Sequence, residues 1–231
     1  DIYHRQHPPS PVRDFRHRSV VWLHAASLGE TKLLYKFLEV LEQRHPEDLY
    51  LVTATSHTGV QFLELHKTPS VCGVGYLPFD SLTLMNATLK QYGIKRVWLL
   101  ETELWPSMLW ACRKNNIPVG IVNARMEIRS FKRYFMFRKL LAPLFSVFDV
   151  VFAQTSEYAE RFFNVGVSKD IIHVVGNIKG HIFIKRPARR EWLSLRRAMN
   201  LSEGCFVLAA GCVHAGEGKE LRTCIDMLSR K

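Results

Sequence analysis

No run of about 18 apolar residues occurs in the 231-residue sequence, so no segment is expected to span a bilayer. The opening residues carry no signal-peptide pattern. Cys72, Cys112, Cys205, Cys212 and Cys224 form no C-x-x-C pair. An odd, scattered set of this kind argues against a disulfide framework or a zinc ribbon and for a reducing compartment. H-E-x-x-H, D-x-D, G-x-G-x-x-G and G-x-S-x-G are all missing, which leaves zinc-protease, dinucleotide and serine-hydrolase readings without support. No RNP, KH or zinc-finger pattern supports nucleic-acid binding either. Acidic side chains are scarce: 32 Lys and Arg face 21 Asp and Glu, for a net charge of +11. The surplus is uneven, with 14 basic and 11 acidic residues in 1–125 but 18 and 10 in 126–231. Such a balance suits an anionic partner, or only a well-solvated surface. At 47% hydrophobic and 23% charged, the composition is globular and excludes disorder or collagen-like order. The length suits one large domain, or one and a half, able to bury a core without staples.

What is present is an alternation. Apolar runs occur at Val20–Leu23, Leu49–Val52, Val97–Leu100, Val119–Val122, Val150–Ala153 and Ile171–Val175, with a weaker one at Val74–Leu77. Runs of this type suit strands buried on both faces. Amphipathic stretches lie between them: Thr31–Arg44, Ser81–Tyr92, Leu104–Asn115, Arg129–Leu144 and Ser156–Val165. Repeated strand–helix units predict an α/β fold, a Rossmann-like parallel sheet flanked by helices. Right-handed crossovers then gather the strand C-terminal ends on one edge, where ligands bind. The expected organisation is an irregular lead-in over 1–18, the Rossmann-like domain over 19–178, a linker and connecting helix over 179–204, and the start of a truncated second domain over 205–231. In that last stretch Cys205–Ala210 reads as a strand and Glu217–Ser229 as a helix.

Several residues at the predicted ligand edge can carry chemistry. Ser27, Gly29 and Glu30 follow the first strand and open a helix, where small residues admit a ligand and free N–H groups favour an anion. Glu30 can equally serve its own helix, as a carboxylate in the first turn. Glu101 and Glu103 follow the Val97–Leu100 strand beside Trp105, and carboxylates there are costly unless they face a cleft. The competing reading has Thr102 or Glu103 capping the next helix. Arg125, after another strand, can clamp a phosphate or pair with a carboxylate. Lys179 follows a Gly176 turn and can hold an anion. His24 reads as a hydrogen-bonded packing residue. Arg129, Lys132, Arg133, Arg138 and Lys139 alternate with Phe131, Tyr134, Phe135 and Phe137, a pattern that fits an anionic membrane interface. It also fits aromatics buried on the sheet with only the charges in water.

Together, W-L-H-A-A-S-L-G-E (Trp22–Glu30), L-V-T-A-T-S-H-T-G (Leu51–Gly59), Y-L-P-F-D (Tyr76–Asp80), E-T-E-L-W-P (Glu101–Pro106), N-A-R (Asn123–Arg125), A-Q (Ala153–Gln154) and G-N-I-K (Gly176–Lys179) resemble the 3-deoxy-D-manno-octulosonic acid (Kdo) transferases. The resemblance implies the N-terminal, acceptor-binding half of a GT-B glycosyltransferase, followed by the opening of its nucleotide-binding domain. It implies transfer of Kdo from CMP-Kdo to a lipid A precursor in lipopolysaccharide assembly, with no metal or cofactor. The implied place is the cytoplasmic face of the bacterial inner membrane, peripheral or anchored by a segment outside this chain. Carried over, Glu30 is the catalytic base, and Glu101 and Lys179 stabilise the transition state. Ser27, Gly29, Glu103 and Arg125 hold the acceptor or its phosphate, and His214, Gly216 and Glu217 contact the donor. The alternative is a truncated, non-catalytic domain that binds anionic lipid. Two departures stand out. The family's S-T-H-x-G-E-E reads Cys212-Val213-His214-Ala215-Gly216-Glu217-Gly218 here, and Gly180-His181 follows Lys179 in place of Phe-Asp. The family's usual N-terminal anchor and most of its donor domain are expected to lie outside these residues.

Overall fold

A computed structural model describes residues 3–15, 18–178, 188–202, 204–205, 207–211 and 213–228. The chain divides into two units, Asp1–Phe183 and Ile184–Lys231. The first unit is built on seven strands: β1 (Val20–Ala25), β2 (Leu49–Ala54), β3 (Val71–Tyr76), β4 (Ile94–Leu100), β5 (Val119–Ala124), β6 (Phe148–Ala153) and β7 (Ile172–Val174). They form one sheet in the order β3-β2-β1-β4-β5-β6-β7. All six pairings are parallel. The weak Val74–Leu77 signal is the C-terminal end of β3, where Gly73 and Gly75 dilute the apolar run.

The helices α1 (Leu28–Arg44) and α2 (His57–Leu65) cover one face. Leu33, Leu34, Leu38, Val60 and Leu63 pack there on Val21 and Leu23. The other face of β1 presents Val20 and Trp22. It meets α3 (Leu82–Tyr92), α4 (Pro106–Lys114), α6 (Arg138–Phe145) and α7 (Ser156–Asn164) through Met85, Leu89, Met108, Phe145 and Phe162. Alternate residues of one strand therefore enter two cores, which is why β1 reads as an unbroken apolar run. The chain crosses from one face to the other between β3 and β4. The point where the strand order reverses is thus the β1–β4 boundary, where doubly wound sheets open a crevice.

Three local features differ from the expectation. α2 carries no predicted helix, yet the Ser56 side chain caps it by accepting from Gly59 N–H at 3.1 Å. The stretch read as one helix over Arg129–Leu144 is two, α5 (Ile128–Met136) and α6, which meet at Phe137. The expected strand at Cys205–Ala210 does not form among the described residues. The second unit instead shows helices α8 (Arg189–Ala198) and α9 (Gly218–Leu228). A lone strand has nothing to pair with in so short a unit.

Residues 3–15, read as an irregular lead-in, form a strap along the edge strand β3. Pro11 bridges Gly73 in antiparallel fashion. Val12 N–H donates to Cys72 at 2.8 Å, and Tyr92 Oη donates to the Pro9 carbonyl at 2.9 Å. Covering an edge in this way removes a template for wrong pairing.

Candidate active site

β1 and β4 run side by side, with His24 opposite Leu99. The loops that leave them, Ala26–Ser27 and Glu101–Trp105, therefore start next to each other on the ligand edge. Ser27 is the N-cap of α1, and its hydroxyl accepts from Glu30 N–H at 3.4 Å. Glu30 turns back on the same turn. Its Oε1 accepts from Ser27 Oγ at 2.9 Å and its Oε2 from Ala26 N–H at 2.8 Å. Glu30 thus serves the start of its own helix, as a first-turn carboxylate that accepts from the Ala26 N–H and the Ser27 hydroxyl just before it. A carboxylate has about four lone-pair sites, which leaves acceptor capacity on the outer side. Gly29 is exposed, and a Cβ there would meet nothing closer than Ser27 Oγ at 3.9 Å. Internal packing does not demand that glycine.

On the β4 side Glu101 is 7% exposed and sits at φ +56°, a left-handed backbone that glutamate rarely adopts. Its N–H donates to the Val122 carbonyl at 3.0 Å. Its carboxylate faces Arg125 Nη1 at 3.7 Å, and Arg125 also holds Glu127 at 3.0 Å. Thr102 Oγ1 donates to the Arg125 carbonyl, tying the loop after β4 to the end of β5. Glu103 Oε2 accepts from Trp105 Nε1 at 3.0 Å and lies 3.5 Å from His24 Nε2. Neither Thr102 nor Glu103 caps α4. That role falls to Asp80, whose Oδ1 accepts from Ser107 N–H at 3.0 Å. Burial raises the Asp80 carboxyl above its usual range, against the pull of the Ser107 and Met108 hydrogen bonds.

The structure thus joins Glu101 to Arg125 between the ends of β4 and β5, and brings Glu103 to His24 across the β1–β4 boundary. Glu30 stands at the same edge, held by the start of its own helix. Asn123 also sits there, fully buried at φ +56°. Its Oδ1 accepts from Ile178 N–H at 3.1 Å, just before Lys179 in sequence. Lys179 itself lies outside the described residues.

A family model described as 3-Deoxy-D-manno-octulosonic-acid transferase (kdotransferase) matches residues 3–182, more than half of the chain. The chain belongs to the Kdo transferase family. The 3-deoxy-D-manno-octulosonic acid transferase of Chlamydia muridarum is 27% identical over 195 residues, covering 84% of this chain and 45% of that protein. The transferase of the same name from Haemophilus influenzae is 28% identical over 197 residues, covering 85% and 45%. The chain therefore spans about half the length of the curated relatives it matches. A crystal structure of a glycosyltransferase from Rickettsia africae superposes with a TM-score of 0.62 at 11% identity, covering 93% of this chain and 59% of that one. This likeness shows the fold: the Rossmann-like sheet of a GT-B N-terminal half.

Among Kdo transferase positions expected on the donor side, His214, Gly216 and Glu217 fall in the second unit, where all three are exposed. Glu217 Oε2 accepts from His214 N–H at 2.8 Å, and Gly216 has φ +102°. The basic, aromatic segment splits between the two readings given above. Phe131 and Tyr134 pack against the core, whereas Met136, Phe137 and Leu140 are 70%, 54% and 75% exposed among basic side chains. No helix among the described residues is long and apolar enough to cross a membrane. The one group of His and carboxylates close enough to share an ion among the described residues is His45, Glu47 and Asp48. It precedes β2, at the end of the sheet away from this site.

Proposed function

We propose that this chain is the acceptor-side half of a glycosyltransferase that moves Kdo from CMP-Kdo to a lipid A precursor in lipopolysaccharide assembly. The observation that supports the reading is that Glu30, in the first turn of the helix after β1, and Glu101 and Glu103, in the loop after β4, follow the ends of two adjacent strands at the switch point. Three carboxylates at such an edge suit a substrate rich in hydroxyl groups and a reaction that builds up positive charge.

The acceptor hydroxyl has a pKa far above neutral and needs a base within hydrogen-bond reach. Glu30 is that base in our reading, with Ala26 and Ser27 fixing its inner lone pairs. The departing sugar is oxocarbenium-like, and a buried carboxylate such as Glu101 stabilises it. Lys179 and Arg125 supply positive charge, Lys179 for the leaving CMP phosphate and Arg125 for acceptor phosphate, so that no metal is required. Ser27 and Gly29 let the acceptor approach the backbone at the start of α1. His214, Gly216 and Glu217 belong to the donor side. The exposed face of α5–α6 rests on the anionic surface that carries the acceptor, at the cytoplasmic side of the inner membrane.

Titrating the 15N-labelled chain with a micellar lipid A precursor tests this. Amide shifts concentrated at Ala26–Glu30 and Glu101–Leu104 are expected, and shifts confined to other regions would overturn the reading. Release of CMP from CMP-Kdo in the presence of the acceptor separates an enzyme from a chain that only binds anionic lipid.

A further inference from the structure

His24 is fully buried, and its Nε2 has no hydrogen-bond partner among the described residues. Leaving such an atom unpaired costs as much as a lost hydrogen bond, so its surroundings need a reason. On the other side of the ring, Nδ1 lies 3.0 Å from Thr53 Oγ1 and 3.2 Å from the Thr53 carbonyl. Thr53 Oγ1 in turn accepts from Trp22 Nε1 at 2.8 Å. Indole is a donor only, so the threonine hydroxyl keeps its own proton to give. Its nearer acceptor is His24 Nδ1, the alternative being the Leu23 carbonyl at 3.5 Å. An imidazole that accepts at Nδ1 carries its proton on Nε2 and makes no hydrogen bond to the Thr53 carbonyl, which at 3.2 Å could accept only an Nδ1 proton; the Glu103 carboxylate opposite Nε2 decides between the two tautomers. That proton faces Glu103 Oε2 at 3.5 Å, where Trp105 Nε1 already donates at 3.0 Å. The reverse tautomer would aim a lone pair at a carboxylate and satisfy neither group.

We infer that His24 is a positioning residue: with Trp105 it fixes Oε2 of Glu103 and thereby turns Oε1 toward a hydroxyl of the acceptor sugar. This rests on the acceptor-side reading above. Oε1 has no partner among the described residues, and Glu103 is only 19% exposed. A carboxylate accepts hydrogen bonds and repels phosphate. Glu103 therefore reads a sugar hydroxyl, and the phosphate falls to Arg125. The 3.5 Å separation is long for a hydrogen bond and closes when the ligand draws Glu103 inward, as catalytic contacts do on substrate binding. The order along the chain is Trp22 to Thr53 to His24 to Glu103, running from the core of the sheet to its ligand edge.

Two arms test the inference. In the first, long-range 1H–15N spectra of the histidine-labelled chain at pH 8 report which nitrogen of His24 is protonated. A proton on Nε2 is expected, kept in Thr53→Ser and moved to Nδ1 in Thr53→Val. A proton on Nδ1 in the unmutated chain would overturn the inference. In the second, Kdo transfer is followed in the protein that carries this chain together with its donor half. Gln places an amide where Nε2 stands and Asn where Nδ1 stands. His24→Asn is expected to raise KM for the lipid acceptor about tenfold with kcat little changed, and His24→Gln to recover most of the loss. Equal losses in both, or a loss in kcat alone, would make His24 merely structural. If the unmutated protein transfers no Kdo, the acceptor-side reading fails, while the tautomer measurement still decides the role of His24.

Discussion

Glu101 is a non-glycine residue held in the left-handed region at a proposed catalytic position. For an L-residue that conformation costs about 1–2 kcal/mol, and strain of this kind persists where surrounding structure over-determines it. Replacing Glu101 by Gly removes the strain. It also gives the unfolded chain more freedom, which costs about 0.4–1 kcal/mol. The ion pair lost with the side chain spans 3.7 Å to an Arg125 that is 40% exposed, so its loss costs less than about 1 kcal/mol. Desolvation of a carboxylate that is 7% exposed disappears at the same time. The net expectation lies between no change and a gain of about 1 kcal/mol, or up to about 4 °C in Tm for a chain of this size. Glu101→Ala keeps the strain and loses the same contacts, so Gly should exceed Ala by about 1 kcal/mol. Urea unfolding of the chain, followed by circular dichroism, reads the difference. A Glu101→Gly protein less stable than Glu101→Ala would refute the strain argument. Both variants should lose Kdo transfer, which makes the site a place where function and stability oppose each other.

Gly120→Ala should destabilise by about 1–3 kcal/mol or more, because its Cβ would lie 2.1 Å from Trp98 Cζ3 on the neighbouring strand; near-normal urea stability would contradict that packing. Burial, reinforced by Asp48 beside Tyr50 and by Cys72 beside Tyr92, holds both phenols above their ordinary range. The unfolded chain ionises them near pH 10 and the native chain later, so stability is intact below about pH 10 and falls as pH rises beyond it. Tyr92→Phe, monitored by alkaline unfolding, should flatten that fall, and an unchanged slope would count against it. Met136→Ser with Leu140→Ser should weaken sedimentation with anionic vesicles about tenfold, and added salt should weaken it further; indifference to both would remove the membrane role of the α5–α6 face.

The parallel sheet was legible because its strands are buried on both faces. Val20–Leu23, Leu49–Val52 and Val119–Val122 read as continuous apolar runs, and each is a strand in the sheet. The edge strand β3 gave a weaker signal because Tyr92 packs where a side chain on Gly73 would stand. α2 was missed because nine residues with a glycine in the first turn show little periodicity, although Ser56 and Gly59 hold its cap. The opening strap was unreadable because its bonds reach to Cys72 and Tyr92, far along the chain. At the site, the glutamates were found from residue type and their place after strands. What their carboxylates touch was not. Glu30 folds back onto its own helix, and His24, buried and hydrogen-bonded as expected, also faces Glu103. Both outcomes depend on side-chain direction, which spacing along a sequence does not carry.

The most direct test of the account is the turnover of Glu30→Gln, measured as Kdo transfer to a lipid A precursor in the protein that joins this half to its donor half. Glutamine keeps the carbonyl acceptor of the capping turn and removes the basic charge, so the fold should survive. If Glu30 takes the acceptor proton, kcat falls by about 10²–10⁴ while KM for the acceptor stays close to its original value. A Glu30→Gln protein that turns over at the original rate would leave Glu30 a helix cap and move the chemistry elsewhere.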